Sequence, residues 1–202
     1  MMMEKIIEKS EETISCYMQD VLEIDWVYLK NMLIKYDVYI TGSFITKIFF
    51  PHLYQISHHQ IDLYTKSSLD TLHRMMLEYF SCSFVTCDLI TLSGSKYETR
   101  IYKKEAFTIT FFYPIVKKEI DQFIADRYLL SIEKYAYDGK KFCFFNESYP
   151  SRSSPTLNNF YISHQTLEKH ITLSPCEISS TKKKIENYEK HKMQCTNSFT
   201  LL

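Results

Sequence analysis

The chain has 202 residues, 45% of them apolar, which suits one domain with a substantial core, alone or with an appended tail. Lys+Arg and Asp+Glu number 24 each, so no global field draws the chain to nucleic acid or to an anionic membrane; any such contact needs a local patch. No apolar run nears the roughly 18 residues of a membrane-spanning helix, and "MMMEKIIEKSEE" lacks the pattern of a signal peptide, so the expectation is a soluble, intracellular (cytoplasmic) protein with no membrane partner.

In chain order, Ser10-Glu11-Glu12 places a hydroxyl and two acids where a helix N-terminus favours them. Ile14, Met18, Val21, Leu22, Leu29, Met32 and Leu33 follow at near-helical spacing, which predicts a helix over about 11–35 with a break near Asp25. "DVYITG" reads as a short strand and "SFITKIFF" as the helix leaving it, stopped by Pro51. "QIDLYT" is the next strand. Ser67-Ser-Leu-Asp70 reads as a capping box before a helix with Leu69, Leu72, Met76 and Phe80 on its apolar face. "SFVTCDLITL" and "AFTITFFY" are β-branched and aromatic strands, separated by a turn and a polar strand.

Beyond these, "KKEIDQFIADRYLLSIEKYAYDGKKFCFF" predicts a helix, then an edge segment ending at an Asp138-Gly139 turn, then a returning strand. "NESYPSRSSP" is linker-like and "SHQTLEKHI" a short helix. Ser174-Pro175-Cys-Glu177 opens a last, polar helix in which Glu186 and Lys190 form an i,i+4 pair. Together these elements predict an α/β (α+β) architecture: a mixed sheet of four or five strands flanked by helices. The boundaries read as an N-terminal helical segment (1–35), a core (36–146), and a linker with a helical C-terminal extension (147–202).

The six cysteines (Cys16, Cys82, Cys87, Cys143, Cys176, Cys195) are scattered without a C-x-x-C pair, which favours reduced thiols over a disulfide framework or a metal site. His58-His59-Gln60-Ile61-Asp62 imitates a metal cluster. On a strand, however, neighbouring histidines point to opposite faces, so solvated histidines are the better reading. The same alternation places His59, Ile61 and Leu63 on one face and Gln60, Asp62 and Tyr64 on the other. The aromatics of "FTITFFYP" and "KFCFF" are read as core in preference to base-stacking platforms.

A strand, Gly42-Ser43, a helix, and a strand bearing Asp62 resemble the nucleotidyltransferase fold. More narrowly, Gly42-Ser43-Phe44, "HQIDLY", "YLLSIEKYAYDG" and "KIENYEKHKM" resemble in order and spacing the motifs of a group of nucleotidyltransferase-like proteins of large DNA viruses and fungi. Separately, Gly 3 and Pro 5 beside Tyr 16 and Phe 14 favour AT-rich codons, as in the genes of many large DNA viruses and some protists, which bears on origin and not on function. The resemblance implies a nucleotide site at Gly42 and Ser43, where a strand-to-helix turn presents backbone N–H groups; a tight turn that simply requires Gly is the plainer reading. It also implies strand carboxylates holding two divalent ions, roughly 4 Å apart.

The departures from that pattern bear on function. The first aspartate of the expected pair is Gln60, which leaves Asp62. The third carboxylate position falls at Thr108 or Thr110, and Leu129 replaces a further aspartate. Amides and hydroxyls are poor substitutes for the hard anionic oxygens that magnesium prefers. The nearest other acids are Asp70, already used by the capping box, and Glu78. The leading expectation is therefore a catalytically degenerate protein without a firm cofactor, serving as a scaffold for a nucleotide, a nucleic acid or a protein partner. Lys182, Lys183, Lys184, Lys190 and Lys192 offer a possible polyanion surface, interrupted by Glu186 and Glu189. One alternative is an active enzyme with an atypical site around Asp62 and bound Mg or Mn. Another is a structural or host-interaction protein.

Overall fold

A computed structural model describes residues 10–49, 60–128, 130–145, 159–160, 175–190 and 194–195. Its first helical stretch, residues 10–16, passes into a π-type turn, Tyr17–Val21, and stops. Asp25 then restarts the chain as a helix: its carboxylate accepts the Tyr28 amide at 2.9 Å and caps α1 (Trp26–Lys35). The expected break near Asp25 is therefore a cap between two helical segments.

From α1 the chain enters β1 (Val38–Thr41), turns at Gly42 into α2 (Ser43–Phe49), and returns as β2 (Gln60–Thr65). Ser68, not Ser67, then caps α3 (Leu69–Glu78) by accepting the Asp70 amide at 3.4 Å. The cap therefore falls one residue later than expected, and Asp70 does not complete a box. The Ser67 hydroxyl donates instead to the Tyr36 carbonyl at 2.6 Å, tying the end of β2 to the end of α1. Asp70 is a partner of Arg100 at 2.9 Å rather than a reciprocal cap.

A long hairpin follows, β3 (Ser83–Leu92) and β4 (Ser95–Lys104), then β5 (Phe107–Pro114). After α4 (Ile120–Arg127) come β6 (Tyr135–Tyr137) and β7 (Phe142–Phe144). Their turn is closed by Asp138, whose Oδ1 accepts the Lys140 and Lys141 amides at 2.7 and 2.8 Å. The segments β8 (Asn159–Phe160) and β9 (Gln194–Cys195) pair in parallel, and α5 (Pro175–Lys190) starts at the expected proline.

The main sheet has seven strands in the order β3-β4-β5-β2-β1-β6-β7, more than the four or five expected. The short β6–β7 hairpin pairs onto β1 and extends the sheet beyond the central motif. β2 and β5 run parallel, and the other neighbours are antiparallel. The fold is thus mixed α/β.

Alternation along β2 divides the interior. Ile61 and Leu63 join the main cluster with Met18, Leu29, Leu33, Ile40, Met76 and Phe111, so the N-terminal helices share the core of the sheet. Tyr64 faces a second cluster of Tyr97, Phe112, Phe123, Ile124 and Tyr128, which seats α4. Its ring stacks on Phe123 with centroids 4.7 Å apart. Phe107, Phe111, Phe112 and Phe142 are buried, in line with their reading as core. Ile185 and Tyr188 bring α5 against the main cluster. Among the described residues, no helix is long and apolar enough to cross a membrane.

Candidate functional site

Asp62 sits in mid-strand on β2, on the Tyr64 side of the sheet, and is only 6% exposed. A carboxylate placed there must be hydrogen-bonded or paired. Three neighbours meet that demand. The Gln60 amide, two residues away on the same face, donates to Oδ1 at 2.7 Å. The Tyr128 hydroxyl donates to Oδ2 at 2.9 Å, and an Arg127 terminal nitrogen reaches the same oxygen at 3.4 Å. Tyr128 also meets the Thr41 hydroxyl at 2.8 Å, and Thr41 in turn reaches the Asp62 carbonyl at 3.3 Å. Strand β1, strand β2 and the end of α4 are joined through this one acid.

The electrostatics follow from that closeness. Burial pushes the Tyr128 phenol well above its ordinary value, and the Asp62 charge adds to the shift. Burial acts most strongly, against the Arg127 charge, but Asp62, Tyr128 and Glu133 together outweigh it and the guanidinium stays above its usual range. Arg127 also lies over the Phe112 and Tyr128 rings, 5.1 and 5.8 Å from their centroids. Its Nε is buried without a hydrogen-bond partner among the described residues.

Gly42 and Ser43 stand at the turn from β1 into α2. Gly42 has φ +75, and a Cβ there would lie 2.5 Å from the Tyr128 hydroxyl, so the turn demands glycine on two counts. Ser43 lines a cleft of about 520 Å³ that opens beside Asp62. One turn further along α2, Lys47 also lines the cleft; it is 8% exposed, and burial lowers its pKa.

The opposite wall of the cleft is α5. Glu133, 2% exposed, accepts Lys184 Nζ on both carboxylate oxygens at 3.0 Å and the Tyr188 hydroxyl at 3.2 Å. Burial raises the Tyr188 phenol well above its usual value, with Glu133 adding to the effect. The cleft is therefore lined by five cations (Lys47, Arg127, Lys183, Lys184, Lys190) against three carboxylates (Asp62, Glu133, Glu186), a positive excess of two.

The expected basic surface divides along helical lines. Lys183, Lys184 and Lys190 line the cleft, Lys182 is exposed but does not, and Lys192 lies outside the described residues. Glu186 and Lys190 both line the cleft, but no ion pair between them occurs among the described residues. His58, His59 and Leu129 also lie outside the described residues. Asp70 and Glu78 do not line the cleft. Pairing of β2 with β5 sets Thr110 beside Asp62 and Thr108 beside Gln60.

These donors do not fit a two-ion centre. Both Asp62 oxygens already accept hydrogen bonds, a guanidinium stands beside them, and the adjacent strand offers Thr110 where a second carboxylate would be needed. Among the described residues no three His, Cys, Asp or Glu side chains are grouped to hold a metal.

Sequence reasoning missed Arg127, Tyr128, Glu133, Lys47 and Tyr188. The one available signal was Arg127 followed by Tyr128 at the end of a predicted helix, which marks charge at a C-terminus but not its partner. Comparison with family models and with curated proteins returns no match.

Proposed function

We propose that this chain is a catalytically degenerate nucleotidyltransferase-like protein whose cleft serves as a binding scaffold for a nucleotide, a nucleic acid or a protein partner. One observation carries the reading: the acid on the central strand is spent on internal partners. Metal-assisted transfer needs carboxylates whose oxygens are open to ions. Asp62 instead holds Gln60, Tyr128 and Arg127, and the cleft beside it carries an excess of cations. Such a lining attracts anions and repels divalent metal. The arrangement of β1, α2 and β2, with Gly42-Ser43 at the turn and Asp62 on the following strand, supports the resemblance in fold.

The test is a transfer assay on the full chain. Labelled ATP, GTP, CTP and UTP are supplied with Mg or Mn, and incorporation into added RNA, added protein and the chain itself is followed. The reading predicts no incorporation above background. Transfer that vanishes in Asp62→Asn overturns it.

A further inference from the structure

We propose that the cleft binds the phosphate groups of a small phosphorylated ligand, of mononucleotide size, without any metal ion. The inference rests on the scaffold reading above and narrows it to one ligand class.

Three features point to an anionic occupant. The lining carries two more cations than carboxylates, which matches the charge of a phosphate monoester dianion. After Arg127 pairs with Asp62 and Lys184 with Glu133, Lys183 and Lys190 make no ion pair among the described residues, yet both face the same cavity as Lys47. Arg127 supplies the third, independent sign. It reaches Asp62 through one terminal nitrogen at 3.4 Å, and its buried Nε has no acceptor among the described residues. A buried guanidinium donor left unmatched calls for an explanation, and a planar fork matches two phosphate oxygens. A phosphate that draws the fork toward the cleft supplies the missing acceptor while Tyr128 and Gln60 continue to hold Asp62.

Size and field favour a small ligand over an extended nucleic acid. The cavity of about 520 Å³ falls within the range of small-molecule sites, and α5 walls it on one side. The chain as a whole is neutral, so it lacks the broad field that a long polyanion would follow.

The experiment is calorimetry on the full chain in EDTA, with ATP, inorganic tripolyphosphate, adenosine and a single-stranded oligonucleotide as probes. ATP and tripolyphosphate are expected to bind and adenosine not. ATP binding more tightly than tripolyphosphate assigns the ligand to nucleotides; equal binding assigns it to the phosphate chain itself. The Lys183→Ala/Lys190→Ala variant is expected to bind at least about tenfold more weakly. Lys96→Ala, on an exposed position of β4, is expected to bind as wild type. Four results would each overturn the proposal: no binding of any phosphate probe, binding that the double variant leaves unchanged, binding that requires Mg or Mn, and length-dependent preference for the oligonucleotide. The first would leave the scaffold reading intact with a protein as partner. Metal-dependent transfer in the earlier assay would instead remove the scaffold reading itself.

Discussion

Two buried acids face the cleft and are neutralised in different ways. Asp62 is held from within the sheet domain, by Gln60 on its own strand and by Arg127 and Tyr128 at the end of α4. Glu133 is held from outside it, by Lys184 and Tyr188 on a helix about fifty residues further along the chain. Asp62 is part of the framework, whereas Glu133 is an anchorage for the C-terminal helix. A single cavity thus has one fixed wall and one attached wall, and the two carboxylates report on them separately.

The sharpest way to break that contrast is to remove each acid in turn. Asp62→Ala leaves the Arg127 guanidinium and the Tyr128 hydroxyl without their acceptor, and the loss of global stability should be about 3 kcal/mol in chemical denaturation. Arg127 keeps some contact with solvent, which holds the figure below that of a fully buried pair. Asp62→Asn retains one acceptor oxygen and should cost less.

Glu133→Gln should have a smaller effect, about 1–2 kcal/mol, because one neutral acceptor remains and Lys184 is 44% exposed. Hydrogen exchange distinguishes the two sites more clearly than stability does. Loss of Glu133 should speed exchange in α5 alone, while loss of Asp62 should speed it in β1, β2 and α4. Equal loosening of α5 by both variants would mean that the walls are not independent.

The smallest expected effect lies at alkaline pH. Burial, then a neighbouring carboxylate, raises both the Tyr128 and Tyr188 phenols well above their usual value. A phenol whose folded pKa is raised contributes stability in full below its unfolded value of about 10 and loses it as pH rises toward the folded pKa. Unfolding free energy should therefore fall as pH rises above about 10. Tyr128→Phe and Tyr188→Phe should each flatten that fall by up to about 1.4 kcal/mol per pH unit. The part of the phenolate absorbance that Tyr128→Phe and Tyr188→Phe remove, read as a difference from wild type, should appear together with unfolding, not before it.

The elements of the central motif were legible because their patterns are local. "QIDLYT" alternates, and β2 spans those six residues with Asp62 on the Tyr64 side. The Asp138-Gly139 turn and Pro175 at the start of α5 likewise follow from single-residue backbone preferences. The site was read in the sequence only as an absence, with Gln60, Thr108 and Thr110 at positions where the resemblance implies acids; the β2–β5 pairing sets Thr108 beside Gln60 and Thr110 beside Asp62. What fills the absence was not legible. Arg127 and Tyr128 meet Asp62 across more than sixty residues, and no local pattern encodes such a contact. Glu133 lies in a short segment whose charge reads as solvated until α5 covers it. The cap that falls one residue later than expected has a similar cause, since Ser67 is drawn to the Tyr36 carbonyl, a partner thirty-one residues earlier.

The central claim is that Asp62 is committed to Gln60, Arg127 and Tyr128 and leaves no seat for a metal ion. Its most direct test is a Mn titration of the full chain followed by electron paramagnetic resonance, with and without ATP, on wild type and Asp62→Asn. The account predicts no saturable Mn site that depends on Asp62 and the same spectra from both proteins. A Mn signal that saturates in wild type and disappears in Asp62→Asn would contradict it and return this cleft to metal-dependent chemistry.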